Sequence, residues 1–163
     1  MESKDIAHAM NDTKTAIKNF ENARLVAGKS SDAPLFSDQE VESIYKIAYD
    51  LYMQKKYFKA LPAFSTLLLI QPTNIKFLCA QGLCNKMLKQ YWPALFSFRE
   101  IDALGQGDAL NSLHIAECLM ALGERDSAIH TLDELLASEP GVCPDPRVLE
   151  RARQWRDMMG ASA

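Results

Sequence analysis

The sequence has no apolar run long enough to cross a bilayer. Its longest nearly apolar stretch, residues 60–70, falls well short of the ~20 residues that a transmembrane helix needs. The first ten residues, MESKDIAHAM, lack a basic region leading into an apolar core, so no secretory signal is expected and a cytoplasmic location is. Cysteine is sparse: Cys79, Cys84, Cys118 and Cys143 form no CxxC pair, which predicts reduced, packed thiols rather than a disulfide or zinc framework. A strong excess of one sign of charge is also missing. The net charge is −3 and the basic residues show no stripe interleaved with aromatics, which makes nucleic acid a poor partner. There is no phosphate loop, dinucleotide fingerprint or nucleophile elbow. The three histidines, His8, His114 and His130, are scattered. His114 and Cys118 stand at i, i+4 and could share a metal, but no second pair of ligands accompanies them, so a packed or partner-facing histidine is the better reading. No catalytic constellation can be assembled, and neither enzyme activity, a metal nor a cofactor is expected.

What is present is an ordinary globular profile, 48% hydrophobic and 24% charged, in 163 residues, enough for one domain with its own core. The organising stretch is residues 41–74, VESIYKIAYDLYMQKKYFKALPAFSTLLLIQPTN. Ile44, Ile47 and Leu51 are spaced for one helical face, as are Ala60, Phe64 and Leu67 after the polar break at residues 54–56, and Pro72 closes the second helix. The pattern returns every 34 residues. Ala48, Ala60 and Phe64 become Gly82, Ala94 and Phe98, and then Ala116, Ala128 and Leu132, with Pro140 in the place of Pro72. Small residues recur where two helices must approach closely, and large apolar ones fill the space between. This is the tetratricopeptide period, so the fold expected is all-α, with three helix-turn-helix units at 41–74, 75–108 and 109–142 forming a superhelix. Two departures stand out: Gln106 where a proline is expected, and Lys55 in a turn where glycine is common.

Residues 5–27 read as an earlier helix. Ile6, Met10, Thr13, Ile17 and Phe20 are spaced 4, 3, 4, 3, a coiled-coil seam two heptads long, which fits either self-association into a dimer or folding back on the repeats as a cap. Residues 28–34, GKSSDAP, form a linker, and Ser37 with Glu40 has the form of a capping box that starts the next helix near Asp38. At the other end Asp145 and Pro146 suit an N-cap and first helical position. Val148, Leu149, Ala152, Trp155 and Met159 then give one apolar face, as a capping helix requires, and the last residues are expected to fray. The expected organisation is therefore residues 1–36 for the N-terminal helix and linker, 37–142 for the repeats and 143–163 for the capping helix and tail.

The tyrosines of the first unit carry a second message. Tyr45, Tyr49 and Tyr52 fall at i, i+4, i+7, a stripe separate from Ile44, Ile47 and Leu51. First helices line the concave side of such a superhelix, and the same positions in the later units are Cys79, Leu83 and Lys86, then Leu113, Glu117 and Met120. These nine residues should line one groove, aromatic at one end and acidic near Glu117; the alternative is that Tyr45 and Tyr49 simply pack on neighbouring helices. A cochaperone clamp for an acidic chaperone C-terminus would need Lys, Asn and Arg where this chain has Tyr45, Tyr49, Ala80, Leu110 and His114, and that reading fails.

Three segments, IYKIAYDLYMQKKYFKA (44–60), QGLCNKMLKQYWPA (81–94) and above all HIAECLMALGERDSA (114–128), resemble the class II chaperones of bacterial type III secretion, which hold hydrophobic translocator proteins before export. The resemblance covers roughly residues 36–135, with Lys55 and Lys89 replacing turn glycines. It implies that Tyr45, Tyr49 and Tyr52 receive apolar side chains of a short translocator segment, that the N-terminal helix takes part in homodimerisation, and that the partner is a hydrophobic translocator; no direct membrane insertion of this chain is expected. A generic tetratricopeptide scaffold or assembly factor outside secretion is the alternative.

Overall fold

The computed structural model describes residues 36–137 and 145–160. Seven α-helices and no strand lie among them: α1 (Asp38–Met53), α2 (Tyr57–Ile70), α3 (Ile75–Met87), α4 (Tyr91–Ala103), α5 (Ala109–Ala121), α6 (Arg125–Ala137) and α7 (Pro146–Gly160). The expected N-terminal helix, with Ile6, Met10, Ile17 and Phe20, lies outside the described residues, as do Pro140 and Cys143.

Local chemistry sets the helix starts. The Ser37 backbone N–H donates to Glu40 Oε2 at 2.7 Å and the Glu40 N–H donates to Ser37 Oγ at 3.3 Å, the reciprocal pair of a capping box. Asn74 and Asp108 cap α3 and α5 through their side-chain oxygens. Asp145 does the same for α7, accepting from the Arg147 N–H at 3.0 Å with Pro146 as the first helical residue.

Within each repeat the small residues stand where helices cross. Ala48, Ala60, Ala94, Ala116 and Ala128 are all fully buried, against Phe64, Phe98 and Leu132, which are also fully buried. Gly82 marks a close crossing: a Cβ there would lie 2.9 Å from two ring carbons of Phe98. Each of those large side chains contributes roughly 1.5–3 kcal/mol by leaving water, so the repeat period in the sequence is also the period of the core. One network of polar side chains runs between the layers. Gln81 donates to Ser65 Oγ on α2 and accepts from Ser97 Oγ on α4, both at 3.0 Å.

The turns inside the repeats are built alike. In the third, the Gly123 N–H donates to Met120 O and the Glu124 N–H to Leu119 O, with Gly123 at φ 82°. Lys55 and Lys89 take the same hydrogen bonds at φ 59° and 60°, so lysine replaces glycine without changing the turn. After α4, Gly105 at φ 68° makes the turn, so no proline is needed at Gln106.

One expectation needs correction. Ile47 is 62% exposed, not part of the core face. The residues of α1 that turn inward are Val41, Ile44, Ala48 and Leu51, a 3-4-3 spacing, and Ile47 falls one position outside it. At the far end Val148, Ala152 and Met159 of α7 join the core cluster that includes Leu119, Leu132 and Leu135, and Arg156 reaches Asp133 at 2.6 Å.

Candidate peptide-binding groove

Tyrosine spacing on α1 produces a continuous aromatic wall. Tyr45 stacks on Tyr49 with ring centroids 6.0 Å apart, and Tyr49 on Tyr52 at 6.4 Å. The outer two are anchored from behind: Tyr45 meets Phe64 at 6.1 Å and Phe77 at 5.6 Å, and Tyr52 meets Tyr57 at 5.4 Å. Tyr49 contacts only its fellow tyrosines among these ring pairs and stays 45% exposed. Packing and groove readings thus divide within the stripe, Tyr45 and Tyr52 serving partly as wall and Tyr49 standing free.

In front of the wall is a cavity of about 360 Å³, lined by Tyr45, Tyr49, Tyr52, Phe64, Ile75, Lys76, Cys79, Ala80 and Leu83. That volume suits a few apolar side chains. Its walls carry no anion at neutral pH, because burial raises the Tyr45 and Tyr52 hydroxyls and the Cys79 thiol above their ordinary values. The one cation, Lys76, lies 4.3 Å above the Tyr45 ring and so covers an aromatic face. Phe64, Ile75, Lys76 and Ala80 were not among the residues expected in the groove. Ile75 was legible, since with Cys79 and Leu83 it completes an i, i+4, i+8 stripe on α3; Phe64 had been assigned to the core, which it also serves.

The other end of the proposed groove is closed by its own charges. Lys86 Nζ donates to Glu117 Oε2 at 2.6 Å, with His114 Nδ1 beside them, 2.8 Å from the lysine and 3.3 Å from the carboxylate. Arg151 of α7 lies 2.6 Å from Glu117 Oε1 as an ion pair out of line for a hydrogen bond. Burial alone would raise the Glu117 carboxyl, but hydrogen bonds from His114 and Lys86 and the charges of Lys86 and Arg151 outweigh it and hold it at about 2. The expected acidic end is therefore corrected: one buried carboxylate faces two cations, and no free anion is offered. Leu113 is 1% exposed and belongs to the core rather than to any surface, while Met120 packs half-buried against the same cluster.

His114 is a packed histidine, its ring 5.0 Å from that of Phe98, and no group of three potential metal ligands exists among the described residues. Cys84 and Cys118 are buried thiols pushed up to about 11 by their surroundings. A second cavity of about 350 Å³ has a mixed lining, with Arg99, Asp102, Asp108 and Glu134 beside Ile115 and Leu135, and its Asp102 is already bound by Asn111 at 2.6 Å. No described helix is long and apolar enough to cross a membrane.

A family profile described as Tetratricopeptide repeat matches residues 111–141. Low calcium response locus protein H of Yersinia pseudotuberculosis is 27% identical over 107 residues, and the chain spans 64% of that relative's length with 64% of its own. The structure of PcrH bound to the chaperone binding region of PopD superposes with a TM-score of 0.67 at 22% identity, covering 78% of this chain and 96% of PcrH, a protein from Pseudomonas aeruginosa. The Yersinia enterocolitica type III secretion chaperone SycD, solved with a peptide of the translocator YopD, gives a TM-score of 0.67 at 24% identity over 77% of this chain and 96% of that one. The chain thus has the tetratricopeptide-repeat fold and resembles the translocator chaperones of type III secretion.

Proposed function

We propose that this protein is a bacterial cytoplasmic secretion chaperone that holds an extended apolar segment of a hydrophobic translocator in its groove and keeps it soluble for export. The observation that carries the reading is the cavity of about 360 Å³ in front of Tyr45, Tyr49 and Tyr52, largely apolar and with no anion in its walls. An extended peptide buries alternate side chains, and a pocket floored by Cys79, Ala80 and Leu83 and walled by tyrosine suits an aliphatic anchor. The relatives PcrH and SycD were solved with segments of PopD and YopD, which supports a ligand of the same kind. A protein destined for insertion into a membrane exposes apolar surface that aggregates in water, and a binder that covers one such segment suppresses this. The site needs no nucleophile, metal or cofactor, so the protein acts by binding, not by catalysis.

Two further parts complete the proposal. The seam Ile6, Met10, Ile17 and Phe20 pairs two copies, since two heptads are too short to be stable without partner contacts, and α7 caps the open end of the repeats. Replacing Ile17 with Asp should leave the protein monomeric in sedimentation; an unchanged mass would remove the seam from the account.

The experiment is recovery of the chain from its native bacterium with its bound protein identified by mass spectrometry, beside a Tyr49→Ala variant. A co-purifying protein with long apolar segments, lost in the variant, supports chaperone and groove together. Soluble folded partners retained equally by both forms would point instead to a general scaffold.

A further inference from the structure

Averaged over the chain the charge is mild, yet between Leu51 and Arg99 there are seven basic residues and no acidic one. Four of the seven, Lys55, Lys56, Lys59 and Lys89, cluster at the turns inside the first two repeats and are exposed. Beside them at the same two turns stand exposed apolar tips: Phe58, 79% exposed, and Met53 in the first, Trp92, 56% exposed, and Met87 in the second. Met53 and Met87, Lys55 and Lys89, and Phe58 and Trp92 are each 34 residues apart, so the repeat places the two turns side by side along one edge. One half of this edge is contiguous, residues 55–59, KKYFK, and the repeat alone brings Lys89 and Trp92 beside it. The third repeat departs: the matching positions are Ala121, Gly123 and Asp126, with Glu124 between.

The backbone adds an independent sign. Lys55 and Lys89 sit at φ 59° and 60°, where glycine is the lower-energy choice and where the third repeat does use Gly123. Strain kept at two equivalent turns argues that the lysine side chains are wanted there. Among the described residues none of the four lysines makes an ion pair, and Lys56 donates only to the neutral Gln54.

We propose that the edge formed by the turns inside the first two repeats docks on an anionic lipid bilayer, the four lysines against the headgroups and Phe58 and Trp92 in the interfacial layer. This surface is separate from the groove and does not depend on its reading. Lysine between aromatic tips is the composition of membrane-surface segments, whereas the cores of protein interfaces are depleted in lysine. By the same repeat the third turn, with Glu124 and Asp126, lies further along this edge, and its negative charge holds it off the headgroups.

The test is sedimentation of the full chain with vesicles of phosphatidylcholine and phosphatidylglycerol in equal parts, against vesicles of phosphatidylcholine alone. Binding to the first only is expected, with a blue shift of tryptophan emission that Trp92→Phe removes. Lys55→Gly with Lys89→Gly should weaken binding about 25-fold, roughly fivefold per lysine, while keeping the turns folded. The exposed Arg153→Ala on α7 should change nothing. Equal binding to both vesicle types, no binding to either, or no loss in the double glycine variant overturns the proposal. So does loss by that variant of binding to an acidic protein or to RNA with vesicle binding absent, which would assign the edge to another macromolecule.

Discussion

The two ends of the proposed groove are built from equivalent positions of successive repeats, yet they are opposites. At the first, Tyr49 offers an exposed ring to a cavity whose walls contain no anion. At the other, Lys86, Glu117, His114 and Arg151 use up one another's charges and hydrogen bonds. Surface left without a partner is available for cargo, and surface satisfied from within holds the molecule together. The difference teaches that repeat position says where a side chain stands but not whether it is free to bind.

The comparison is broken most strongly at the closed end. Glu117→Gln should cost about 3 kcal/mol, because it leaves the largely buried Lys86 without its anion and removes the partner of the exposed Arg151. In a domain of this size that lowers the thermal midpoint by about 10 °C. Cargo affinity should change little. Acid titration asks the same question without mutation. Since the folded Glu117 carboxyl lies at about 2 and its ordinary value is 4.5, its stabilisation is present above the ordinary value and disappears as the pH falls toward 2. Denaturant midpoints measured down that range should fall for the wild type and be flatter for Glu117→Gln.

The open end should answer in binding instead. Tyr49→Ala is expected to weaken cargo binding by about 2 kcal/mol, roughly thirtyfold by calorimetry, with a thermal midpoint close to wild type. Tyr45→Ala sharpens the contrast because that ring also packs on Phe64 and Phe77, so both binding and stability should fall.

The smallest effect lies outside both ends. Lys55→Gly and Lys89→Gly should each raise stability by about 1 kcal/mol by relieving a left-handed residue, and denaturant melts would show it as a higher midpoint with the same slope. A drop would mean that the lysine stems pack on the turn.

Much of this was legible in the sequence because the repeat encodes it twice, by period and by size. Ala48, Gly82 and Ala116 could be read as crossings since nothing larger fits, and the Ser37–Glu40 capping box and the Asp145 cap depend only on neighbours a few residues away. The charge state of the Glu117 end was not legible. Arg151 stands one 34-residue period beyond Glu117, but it lies on α7, which the expected organisation placed outside the repeats, so the period was not carried on to it. Leu113 was misplaced for a related reason: its register matches Tyr45, but the third repeat is covered by α6 and α7, whereas the first helix has an open face. Ile47 failed because a 3-4 spacing on a helix packed from one side can be read one position out.

The most direct measurement is cargo affinity and thermal midpoint on the same two variants, Tyr49→Ala and Glu117→Gln, using the translocator recovered with the wild-type protein. The account predicts a crossed pattern: Tyr49→Ala loses affinity and keeps its midpoint, and Glu117→Gln keeps affinity and loses midpoint. If Tyr49→Ala binds as wild type does and melts early, the tyrosine wall is core and the groove reading is wrong.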